Sequence, residues 1–454
     1  MFFFEYDTKT IDIFYLLRFN DSNKRMKTAL SIGDQPITTY LRMKQLLLTV
    51  YLLLGAFHPM SAQRNEIYSD QIASLQVVAG TDWLSPPVVM LNSNPIHISF
   101  DDLTHEYHRY TYTVRHCEAD WSVSSELFES DYINGFASGN IIEDVEESYN
   151  TNVLYTHYRL TLPNRLCQLK MSGNYQVTVY DDNNDNEPVL TACFMVVDPK
   201  MNVSLSVSTN TDIDFHNRHQ QVDMQVSFGS VNVTAPRQQI KTVVMQNGRR
   251  DNARINVDYQ NTLPNGISWE HNKNLIFTAG NEYHKFEVLD NDHPTLGVDL
   301  MRWDGEMYHA FLFQDTPRPN YLYDEDANGA FYIRNSDNID NDTYSDYLYV
   351  HFDKPSERLD GELYLNGVWT NDQFPSKYLM EYDEATKSYH AMVLLKQGYY
   401  SYQYLLLDAD GYTHHVENEG NFYQTENQYQ ALVYYRENGG RTDQLVGYQQ
   451  VSAP

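Results

Sequence analysis

The side chains of this 454-residue chain that could do chemistry come in short acidic and histidine-bearing strings. Tyr323-Asp324-Glu325-Asp326-Ala327-Asn328-Gly329 sets oxygen ligands at the first three alternate positions of a calcium loop, as a hard cation requires. The twelfth position, where a bidentate Glu closes such a loop, is Asn335, and no helices flank the segment. Asp, Asn and Gly also make tight turns by themselves, so a structural turn is the expected role. The loop from Asp181 to Glu187 reads the same way. His105-Glu106-Tyr107-His108 has its histidines three apart, not the four that place both on one helix face, and the surrounding alternation predicts a strand. His216 and His219 have no nearby Cys, and His414-His415 would point to opposite faces of any strand. No G-x-S-x-G elbow, phosphate loop or dinucleotide glycine pattern occurs. Among 61 carboxylates, acidic neighbours carry no weight for glycosidase chemistry. No catalytic residue, metal ligand or cofactor is therefore expected, and the chain reads as non-enzymatic.

The elements around these strings are strands. Tyr107 to Thr161 alternates Tyr110, Tyr112 and Val114, runs into His116-Cys117-Glu118-Ala119-Asp120-Trp121, passes a Tyr132/Phe136 pair and Gly135, and returns through Tyr155, His157 and Arg159. That is the pattern of paired antiparallel strands with one wet face. Val222, Met224, Val226 and Phe228 make another one-sided strand. Tyrosine is the outlier in composition, 37 against 20 Phe and 5 Trp, and its amphipathic ring suits a pleated face. Turn signals divide the chain into blocks of about seven short strands, with breaks at Asp198-Pro199 and at Thr316-Pro317-Arg318-Pro319, where a Pro pair cannot sit in a central strand. The expected fold is all-β: three consecutive Ig-like sandwiches over 64–199, 200–318 and 319–454, with flexible connections as the default.

Ahead of them, Met43 to Gln63 has the make-up of a secretory signal. Arg42 and Lys44 supply the positive flank, Leu46 to Phe57 the apolar run, and Ala62/Gln63 the cleavage site. The run is shorter than the roughly 20 apolar residues of a membrane span. Since a signal works from the N-terminus, translation is expected to begin at Met43, with 1–42 a mis-assigned start or a disordered extension. Cys117, Cys167 and Cys193 all fall in the first block, and an exported chain permits one disulfide or none. The net charge is −29, and no basic stripe interrupts it. That argues against nucleic acid and anionic lipid and favours neutral or basic partner surfaces.

Several motifs together resemble the plug protein family of the type IX secretion system. They are His116-Cys117 with Asp120-Trp121; Tyr132-Ile133-Asn134-Gly135-Phe136; Ser148-Tyr149-Asn150-Thr151 with Tyr155; and Ser172-Gly173-Asn174-Tyr175. Further on come Glu325 to Gly329, Leu395-Lys396-Gln397-Gly398-Tyr399-Tyr400, Glu419-Gly420-Asn421-Phe422 with Thr425-Glu426-Asn427, and Val433 to Arg436. The resemblance implies a periplasmic protein at the inner face of the outer membrane of Bacteroidota-type bacteria. It implies as partner the large outer-membrane β-barrel translocon, whose periplasmic mouth such proteins fill. Cys117, Asp120, Trp121, Tyr132, Gly135, Phe136, Tyr149, Thr151 and Tyr155 are its signature residues here, expected to be structural. A rival reading comes from the third block. Gly367-Val368-Trp369 and Gly398-Tyr399-Tyr400-Ser401-Tyr402-Gln403-Tyr404 look like starch-binding early-set Ig-like domains, and a glycan site would use an exposed Trp369. A calcium-dependent adhesin is a further alternative, built on the acidic loops.

Overall fold

The structure, a computed structural model, describes residues 65–453. The expected signal, the Ala62/Gln63 cleavage site and residues 1–42 lie outside the described residues. Strands dominate what is described, and helix is confined to single turns. In the first sandwich, Tyr110–Cys117, Gly173–Asp181 and Glu187–Val197 are neighbours in one sheet. Ile72–Ala79, Ile96–Asp102, Thr156–Leu162 and Asp144–Glu147 form the other. Alternate residues from both sheets fill one core, in which Phe100 stacks on Tyr158 at 5.3 Å and Tyr110 meets Tyr158 edge-on at 4.8 Å.

The two strands expected to pair, Tyr110–Cys117 and Thr156–Leu162, therefore face each other across the core from opposite sheets. Alternation reports that one face is buried, and it does not say which strand lies alongside. The stretch before Tyr110 is also not a strand. His105 and His108 sit in a loop, bonded separately to the Tyr155 carbonyl and to Asp181.

The other two sandwiches interleave in sequence. Ile240–Gln246 pairs with Asn427–Tyr435, which pairs with Gln444–Ala453, so the last hairpin closes the second core together with Val222, Met224 and Val226. Conversely, His284–Val288 pairs with Gly398–Leu407, and Tyr308–Leu312 lies parallel to Tyr347–Pro355 in the third sandwich. The linear division at 318/319 thus cuts across two sheets. The Pro-rich break is real as a break in strand structure, but Arg318 within it reaches Glu419 of the third sandwich at 2.7 Å.

A fourth apolar cluster belongs to no single sandwich. Cys117, Trp121, Cys193, Met195 and Val197 of the first pack on Val243, Met245, Leu432, Tyr434 and Leu445 of the second. Glu187–Val197 is consequently buried on both faces over its last nine residues. Flexible connection, the default from sequence, gives way here to continuous packing from residue 65 onward.

Candidate functional site

The polar and charged side chains that this fold buries gather largely at the seams between sandwiches. On the outer face of Thr156–Leu162 and just before it, Tyr155, His157 and Arg159 meet the third sandwich. At their centre is Asp101, fully buried. One of its oxygens accepts from Lys396 Nζ at 2.6 Å and the Tyr347 hydroxyl at 2.7 Å; the other lies 2.7 Å from His157 Nδ1. Burial opposes charge on Asp101, but Lys396 and His157 outweigh it and hold its pKa below the usual range. Lys396 also lies 4.0 Å from the centre of the Tyr155 ring and donates to the Asp342 carbonyl. The Tyr155 hydroxyl in turn reaches the Ser345 carbonyl at 2.7 Å. Around this centre Arg159 pairs with Asp342, and the backbone N–H groups of Asn152 and Val153 donate to Asp346.

The seam between first and second sandwiches is mainly apolar and carries a charged cluster around the buried Asp443. Arg436 bridges Glu118 and Asp443, Lys241 reaches Asp443 at 2.8 Å, and the Tyr434 hydroxyl donates to Asn174 at 2.8 Å. Within the third sandwich, beside the crossover to the second, Glu419 is ringed by Arg318, Lys354 and His284. Burial again works against the charge, yet His284 and the two cations hold Glu419 well below its ordinary value. His284 is largely enclosed; desolvation opposes its charge, but Asp315 and Glu419 outweigh it and raise its pKa.

All three sandwiches meet around a cavity of about 210 Å³ lined by Trp83, Met195, Arg249, Tyr283, Asp326 and Asn371. Burial raises the Asp326 carboxyl to about 7. Its oxygens accept the backbone N–H groups of Asn328 and Tyr283, while Asp324 pairs with Lys285 at 2.6 Å. The calcium-like spacing thus builds a turn held by its own backbone. Asp181 likewise accepts from the Asn183 N–H. Among the described residues no group of three or more His, Cys, Asp or Glu is placed to hold a metal ion.

The model of the family described as type IX secretion system plug protein 1st domain matches residues 72–198, the span of the first sandwich. A hypothetical protein from Parabacteroides merdae ATCC 43184, solved by crystallography at 2.30 Å, is 41% identical. The alignment covers 86% of this chain and 100% of that one, with a TM-score of 0.84. The chain belongs to the type IX secretion system plug protein family. A partial N-terminal region of an enterococcal surface protein aligns over 86% of the chain and 95% of its own length at 7% identity, and its TM-score of 0.18 carries no fold relation. No curated protein matches the chain.

The residues expected to carry the family resemblance take different places in the fold. Cys117 and Trp121 fill the apolar seam, Trp121 from a left-handed backbone at φ 68°. Asp120 turns the chain between them by accepting the Ser122 N–H. Tyr132 is buried, whereas Phe136 is exposed, so they do not act as a pair. Gly135, at φ 110°, passes so close to the Leu166 carbonyl that a Cβ would lie 2.1 Å from it. Tyr155 anchors the Asp101 seam, and Thr151 donates to Ser148, whose hydroxyl accepts the Tyr155 N–H. Tyr149 crosses to the third sandwich, its ring 5.3 Å from that of Tyr344. The cysteines are buried thiols with no disulfide, and burial pushes Cys117 and Cys167 up to about 12. Trp369, the expected sugar platform, is core: it stacks edge-on with Tyr378 and Tyr400, and its indole N–H donates to the Ser401 carbonyl at 3.0 Å. Sequence reasoning missed Asp101, Tyr347 and His284 and quoted Lys396 and Glu419 only within motifs, without their pairing, because their partners lie far away in the chain.

Proposed function

We propose that this chain is a non-enzymatic periplasmic plug that closes the inner opening of the giant outer-membrane β-barrel of the type IX secretion system. Family membership associates it with type IX secretion in the cell envelope. The observation that carries the finer reading is the joining of three sandwiches into one continuously packed body by an apolar seam and a buried ionic one. A gate acts by bulk. It must resist deformation by a passing substrate, and a body with buried inter-domain contacts does so where linked beads would swing aside. The strongly acidic surface keeps the molecule soluble until it docks. The domain division that fits this body is 65–199, then 200–280 with 427–453, then 281–426.

Isolation of the tagged protein from detergent-solubilised envelopes tests the reading. Recovery of a very large barrel protein in stoichiometric amount is the expected result, and its absence counts against a plug. The glycan-binding alternative loses its named residue, because Trp369 is spent on the third core.

A further inference from the structure

The second and third sandwiches leave between them a groove of about 920 Å³, walled by the segments around Asn252 and Phe277 on one side and around Thr413 and Phe422 on the other. Its walls are tied together. The Thr413 hydroxyl donates to Asp251, the Phe422 N–H to the Gly280 carbonyl at 2.8 Å, and the Tyr423 N–H to the Asn217 carbonyl at 3.0 Å. The groove is therefore part of the packed body and has its shape before any ligand arrives.

Its charge runs against that of the chain. Arg249 takes up Asp251, which leaves Glu417 in the lining against Arg218 and Arg254. Among the described residues neither of these two arginines forms an ion pair. Arg254 is half-buried, with its guanidinium 4.9 Å from the centre of the Phe277 ring and one bond, to the Ile276 carbonyl at 3.0 Å. Burial lowers its pKa with no acid to offset the loss. Most of its five N–H donors remain for another partner. Two residues away, Asn252 lines the same groove with the opposite need. Gln246 donates its Nε2 to the Thr278 carbonyl at 3.0 Å, so its Oε1 is the acceptor for Asn252 Nδ2 at 3.1 Å. That orientation leaves Asn252 Oδ1 buried without a hydrogen-bond partner.

We infer that this groove binds an acidic saccharide, a sugar unit whose carboxylate pairs with Arg254 and whose neighbouring hydroxyl donates to Asn252 Oδ1. A guanidinium fork takes a carboxylate through two parallel N–H bonds, and a sugar acid carries hydroxyl donors close to its carboxylate. The rest of the lining suits the neutral part of such a ligand. Tyr412, 68% exposed, offers a ring face, and the amides of Asn217 and Gln424 both donate and accept, as ring hydroxyls do. A polyanion does not fit: a chain of net charge −29 repels it at long range, and two arginines offset one or two carboxylates. The site is separate from the buried Trp369 and does not depend on the plug reading.

Calorimetric titration of the full chain with uronate disaccharides (galacturonate, glucuronate and mannuronate), each beside its neutral counterpart, reads the site directly. Saturable binding of an acidic disaccharide, about tenfold or more tighter than its neutral counterpart, is expected. Arg254→Gln should weaken that binding by about tenfold or more, and Arg218→Gln should weaken it less. Arg218 is exposed, so Arg218→Gln should keep the wild-type Tm and tests the charge even where Arg254→Gln destabilises the fold. Three results overturn the assignment: no saturable binding, equal binding of acidic and neutral sugars, or affinity unchanged in both variants. Tighter binding of the dipeptide glutamyl-glutamate overturns the saccharide class. Displacement by equimolar sulfate reduces the groove to an adventitious anion site and overturns it as well.

Discussion

The first sandwich is held to its two neighbours by opposite means. Against the second it presents Trp121, Cys193, Met195 and Val197, and the contact is a core in all but name. Against the third it presents Asp101, Tyr155 and His157, and the contact is a buried ion pair with its hydrogen bonds. An apolar seam gains from area and tolerates small shifts; a buried pair gains little net energy but punishes any arrangement that separates the charges. The difference teaches that the apolar seam supplies strength, while the ionic one fixes the angle at which the third sandwich sits.

The largest effect should come from taking one charge away. Asp101→Ala leaves Lys396 buried without its carboxylate and is expected to cost about 3–5 kcal/mol in denaturant unfolding. The paired Asp101→Leu/Lys396→Met variant should be close to wild type in stability, and that recovery is the signature of a specifying pair. At the apolar seam, Leu432→Ala should cost about 2–4 kcal/mol by cavity formation. Its cost should not vary between pH 4 and 8, because no titrating group is removed.

The ionic contacts should also respond to acid. Asp101, Asp315 and Glu419 all have lowered pKa values, so their stabilisation is complete above the ordinary carboxylate range near pH 4 and is lost as pH falls through the depressed values. His284 is raised, so its share is complete below about 6.5 and is lost as pH climbs through its higher folded value. A Tm series across pH should show both flanks, with the acid flank reduced in the Leu/Met pair variant. The smallest effect belongs to Arg358→Ala, which breaks an exposed pair with Glu384 and should leave Tm unchanged within error.

The sequence carried the class of fold through its two-residue period: Val222, Met224 and Val226, like the tyrosines of Gly398–Leu407, point where alternation puts them. It did not carry partnership. Tyr155, His157 and Arg159 read as solvent-facing because polar residues at alternate positions look the same beside water or beside another sandwich. Asp101 and Lys396 are 295 residues apart, so their pairing leaves no local trace. One signal was available and went unread: Val189 to Val197 is a nearly unbroken apolar run, the mark of a strand buried on both faces, and it is the strand beneath the apolar seam. Several residues of the quoted motifs, Cys117, Trp121, Tyr149 and Tyr155 among them, sit at these seams, and Gly135 within the first sandwich holds a turn that admits few alternatives.

The most direct test of obstruction is the uptake of large antibiotics by cells from which this chain has been deleted. A plug held together as described predicts a marked rise in permeability, reversed by the wild-type chain. Unchanged uptake with secretion intact would contradict it.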